Sequence, residues 1–100
     1  MNDHPSIPKD LDECFVRLKA MLSPHDVERI KRGDEHDMTQ YHFGLGLWMR
    51  NNWGLWGDSP LVRWFQARGV DHADAMSGVI LESFWRHLNG RPSKLDDPSE

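Results

Sequence analysis

The sequence predicts an all-α fold: a compact single domain of about five short helices around a central tryptophan-rich helix. Three observations carry that expectation. Apolar residues recur at i, i+3 and i+4 in successive segments. Helix-start signals, a polar cap followed by proline or by an acid in the first turn, stand at Asp10, Ser23 and Ser59. Val, Ile and Thr together number nine in 100 residues, a thin supply for strands that favour β-branched side chains.

The first helix opens at Asp10, with Glu13 three residues on in the form of a capping box. Leu11, Cys14, Phe15, Leu18, Met21 and Leu22 then form one apolar stripe. A second, short and charged helix starts at once, with Ser23 as cap and Pro24 in the first turn. Val27 and Ile30 supply its buried side, and Gly33 ends it. The third element is a four-turn helix over 38–52, apolar around much of its circumference and therefore central. Gly44 and Gly46 inside it each cost about 1 kcal/mol relative to alanine. They imply close approach of a neighbouring helix or an indole ring. Residues 53–57 break this helix into an aromatic turn. Ser59 and Pro60 start a fourth helix that turns Leu61, Trp64 and Phe65 inward. A fifth runs from about His72 to Leu88 with Asp71 as its cap. Its apolar face is Met76, Ile80, Phe84 and Leu88, with Val79 or Leu81 beside Ile80, and Asn89-Gly90 is the stop. Residues 1–8 and 92–100 read as polar tails, the second acidic, around a domain at 9–91, with Ile7 pinning the first tail to the core.

Composition narrows the function. Sixteen acids against twelve basic residues give a formal net charge of −4. A protein that binds nucleic acid through counterion release would show a basic surplus, so no nucleic-acid partner is expected. One cysteine, Cys14, excludes an intramolecular disulfide and a four-cysteine zinc site. It lies on the apolar stripe, where an inert buried thiol is expected. No apolar run approaches the roughly 18 residues of a membrane span, and no signal pattern opens the chain. No membrane association and a cytoplasmic location follow as expectations. Six histidines are present, but there is no HExxH, no CxxC and no i, i+4 pair. Metal: none, and cofactor: none, are the resulting expectations. Ser77 lacks a GxSxG elbow, and the GLG at 44–46 lacks the rest of a phosphate loop.

The block YHFGLGLWMRNNWGLW at 41–56 resembles a family of small bacterial proteins classed as a domain of unknown function, with a signature close to HFGLG-x-W-x-RNNWGLW. IPKDLDEC at 7–14, the helix start at 59–65, DAMSGVIL at 74–81 and HLNG at 87–90 extend the resemblance over roughly 7–91. It implies no reaction, cofactor or partner, and so assigns no functional residue.

Three of the five tryptophans, Trp48, Trp53 and Trp56, fall within nine positions around Arg50, Asn51 and Asn52. A guanidinium beside two amides, framed by indoles, suits a carboxylate, phosphate or planar ligand. The same groups suit closure of the central helix's C-terminal end, where donors meet orphan carbonyls. Tryptophan with arginine is also the composition of partner surfaces. The reading that follows is a non-enzymatic module that binds a protein partner or a second copy. Its binding residues are Trp48, Arg50, Asn51, Asn52, Trp53 and Trp56, with Tyr41 and His42; catalytic residues: none. Small acidic immunity proteins and regulators supply the analogy. The alternative is a small-molecule or enzymatic site built from Tyr41, His42 and Arg50–Asn52. It requires those polar groups to converge on one concave pocket.

Overall fold

Local signals set the helix starts. The computed structural model describes residues 7–93 and 95, apart from the side chains of Glu35, His36, Thr39, His42 and Phe43. Helix α1 (Leu11–Met21) is capped by Asp10, whose carboxylate accepts the Glu13 N–H at 2.9 Å. The Glu13 carboxylate in turn accepts the N–H of Lys9 at 3.0 Å, one residue earlier than a standard capping box. Its stripe buries Leu11, Cys14, Phe15 and Leu18, while Met21 is exposed. Helix α2 (Pro24–Arg32) is capped by Ser23 as expected and buries Ile30.

The central segment departs from expectation. In place of one α-helix over 38–52, it is a 3₁₀ turn (Glu35–Tyr41), a π-helical turn (His42–Gly46) and a short α3 (Leu47–Asn52). Two glycines in three residues remove most of the intrinsic preference for α geometry, so tertiary packing sets the local hydrogen bonding. The two glycines also differ from each other. Nothing lies within 4 Å of a Cβ placed on Gly44, against expectation. A Cβ on Gly46 would sit 3.2 Å from the Arg50 guanidinium and 3.7 Å from Leu81. The close neighbour is thus an arginine and α5, not an indole.

Helix α4 (Pro60–Gln66) starts on Ser59, whose hydroxyl accepts the Val62 N–H at 3.2 Å. Helix α5 (Ala73–Leu88) is capped by the extended backbone of His72, one residue later than expected, and no side chain caps it. Asp71 stays outside the helix, exposed. Met76, Ile80, Leu81 and Phe84 of α5 form the buried spine that the 3₁₀ turn, the π turn, α1 and α3 pack against. Leu81, not Val79, joins Ile80 in the core. At the chain's entry Pro8 is fully buried and Ile7 partly exposed, so the proline does the pinning. The far end of α5 ties down α2: Trp85 donates its indole N–H to the Gly33 carbonyl at 2.7 Å, and Asn89 donates to that of Lys31 at 3.2 Å. These bonds satisfy carbonyls that the end of a helix leaves without partners. Among the described residues there is no strand.

Candidate functional site

Helix α3 has two sides. Met49 and Arg50 point inward, followed by Trp53 at the cap, which is 1 % exposed. Leu47, Trp48, Asn51 and Asn52 point outward. A charged residue on the inward side must be matched by polar partners, and Arg50, 6 % exposed, is matched by α5. One terminal N–H donates to the Ser77 hydroxyl at 2.8 Å, and that hydroxyl donates to the Asp74 carbonyl at 3.1 Å. The Arg50 Nε lies 3.4 Å from a carboxylate oxygen of Asp74, in the first turn of α5. Arg50 therefore fastens the aromatic turn to the start of the central spine.

The two asparagines point elsewhere. Asn52 donates its amide to the Trp48 carbonyl at 2.9 Å, closing the end of α3. Asn51 accepts the indole N–H of Trp56 at 2.8 Å. That bond holds Trp56, which is 62 % exposed, against the helix, and the Arg50 guanidinium carbon lies 5.8 Å from its ring centroid. Trp48, 39 % exposed, meets Trp53 edge-on with centroids 5.7 Å apart. Outward, the result is a surface of Leu47, Trp48, Asn51, Asn52 and Trp56. Beside Trp56, a cleft of about 390 Å³ opens toward Gln66, Asp71, His72 and Asp74.

Tyr41 does not join this group. It lines a separate cleft of about 220 Å³ with Leu22, Asp26, Arg29, Ile30 and Leu45. The His42 side chain lies outside the described residues. The described members of the predicted set thus divide three ways: Arg50 and Trp53 inward, Trp48, Asn51, Asn52 and Trp56 outward, and Tyr41 apart.

Elsewhere, Cys14 is fully buried, and burial, reinforced by Asp10 and Glu13, pushes its thiol far above the ordinary range. A thiol so held is no nucleophile at neutral pH. Among the described residues no three His, Cys, Asp or Glu side chains gather as a metal site would need, and no helix is long and apolar enough to cross a membrane. Ser77, which lacks a GxSxG elbow, and Asp74 are the partners of Arg50. The available signal was a hydroxyl inside the apolar run MSGVIL, where a buried Ser77 needs a partner.

The family model described as a domain of unknown function (DUF6794) matches residues 7–88, from the entry beside Pro8 to the last residue of α5. No curated protein and no solved structure matches the chain. The matched span contains every helix among the described residues and the whole aromatic turn, and on that span the chain belongs to the DUF6794 family.

Proposed function

We propose that this protein is a non-enzymatic module that binds another protein through the outer side of α3 and the indole of Trp56. The observation that carries this reading is that Trp56 is exposed and yet fixed by its bond to Asn51. An indole recruited for core mass would be buried, as Trp53 is. An indole held rigid in solvent loses little conformational freedom when a partner covers it, which is how preorganisation raises affinity. Leu47 and Trp48 add exposed apolar surface next to it, and Asn51 and Asn52 supply the polar margin. Large aromatic anchors within a polar rim are the composition of energetic centres in protein interfaces. A cytoplasmic regulator- or immunity-like role is the extension of this reading, supported by small size, acidic charge and a single buried thiol.

Affinity capture from the source organism with three forms tests it: wild type, Trp56→Ala, and Val16→Ala, an exposed apolar position on α1. The expected result is a protein retained by wild type and Val16→Ala and reduced at least about tenfold by Trp56→Ala. Equal recovery by all three forms would overturn the surface.

A further inference from the structure

We propose that the partner of the α3 surface is a second copy of this chain, packed face to face so that the exposed indoles of each copy cover bare backbone of the other. The proposal rests on the reading that this surface binds protein. Its first support is a pair of glycines. Glycine weakens helical structure relative to alanine, so each one calls for a local reason. Gly33 and Gly46 have one, since a Cβ there would meet Asp37 at 2.9 Å or Arg50 at 3.2 Å. Gly54, Gly69 and Gly90 have another, a left-handed backbone that other residues rarely adopt. Gly44 and Gly57 have neither. Both are exposed, their φ is not positive, and nothing lies within 4 Å of a Cβ placed on them. A glycine that the fold does not require leaves backbone open to close approach from outside. These two bracket the aromatic surface: Gly44 precedes Leu47 and Trp48 by three and four positions, and Gly57 directly follows Trp56.

Charge selects the occupant. Each copy carries a formal net charge of −4, so two copies repel where their charged surfaces face each other. Between Gly44 and Gly57 the one charged residue is Arg50, and it is buried. Two copies that meet through this surface therefore oppose no like charges within it. A partner with a charged strip would lose solvation there and gain no counter-charge. A two-fold contact also requires a single patch to hold both halves of the fit. This patch does. Leu47, Trp48 and Trp56 are exposed, Trp56 is held in place by Asn51 at 2.8 Å, and Gly44 and Gly57 leave room for such groups.

Sedimentation velocity of the full chain, from about 10 μM to about 1 mM, tests this. Expected is a reversible, concentration-dependent shift from monomer to dimer. Trp56→Ala removes an exposed ring, and Gly44→Gln fills the open space with a helix-favouring side chain. Each should weaken dimerisation at least about tenfold, while Val16→Ala, on α1, leaves it unchanged. At a concentration where the chain is monomeric, circular dichroism should show Gly44→Gln folded and melting no lower than wild type. A lower melting temperature would mean that the fold itself needs this glycine, and would overturn the proposal. So would a monomer at every concentration, or a dimer that either Trp56→Ala or Gly44→Gln leaves intact. If the chain stays monomeric while a different protein is captured by wild type and lost by Trp56→Ala, this inference alone fails and the α3 reading stands.

Discussion

Arg50 and Trp56 sit six positions apart and have opposite roles. Arg50 is buried and its guanidinium is bound to Ser77 and beside Asp74, so its contribution is to stability. Arg50→Met should cost about 2–4 kcal/mol, the range for losing a buried charged hydrogen bond and its partners. Ser77→Ala, which withdraws the acceptor from a buried guanidinium, should cost about 1–3 kcal/mol. The double variant should cost less than the sum, because both changes break one bond. Urea unfolding checks all three. Trp56→Ala, at an exposed position, should change the same quantity by less than about 1 kcal/mol. This division was not legible in the sequence. Arg50 and Trp56 both stood out there, but the partner that makes Arg50 structural lies 27 positions away, and no local pattern announces it.

Among the elements, what could be read was what is decided locally. Asp10, Ser23 and Ser59 each accept an N–H from three residues on, and that spacing is visible in the chain itself. The central segment was not legible as built, because its glycines leave the pitch to its neighbours. The two glycines give the contrasting test. Gly44 has open space around a Cβ, so Gly44→Ala should stabilise by about 0.5–1 kcal/mol through the unfolded state. At Gly46 the Cβ would press on the Arg50 guanidinium. The bond to Ser77 prevents that group from giving way, so Gly46→Ala should destabilise despite alanine's better helix propensity. Thermal denaturation of the two variants reads opposite signs. Equal signs would show that Arg50 is not fixed as described.

For the whole molecule, the joint between α1 and α5 carries a pH dependence. The His87 ring stacks on Phe15 with centroids 4.6 Å apart, and its Nε2 lies 3.1 Å from the Lys19 ammonium. That contact needs a neutral imidazole as acceptor. Burial first and the Lys19 charge second hold the His87 pKa below its ordinary 6.5, against a smaller opposing pull from Asp12. The unfolded chain then binds the proton more readily than the folded one. Stability is therefore fully present above pH 6.5, falls as the pH drops below it, and levels off below the folded pKa. His87→Gln should remove that part of the slope, as unfolding curves from about pH 5 to about 7.5 would show. The fold class was legible because five amphipathic segments and few β-branched residues admit little else. The Phe15–His87–Lys19 joint was not, since it joins residues up to 72 positions apart in a pairing that composition does not encode.

One surface of this molecule carries the proposed function, and the five tryptophan indole N–H groups report on it directly. They give separate signals in a nitrogen–proton NMR spectrum, assignable by single substitutions. When the protein captured by wild type is added, the signals of Trp48 and Trp56 should shift or broaden, while those of Trp64, which lies under the Arg68 guanidinium, and Trp85, which is bonded to the Gly33 carbonyl, stay in place. Movement of Trp64 or Trp85 with Trp48 and Trp56 unchanged would contradict the account and place the partner elsewhere.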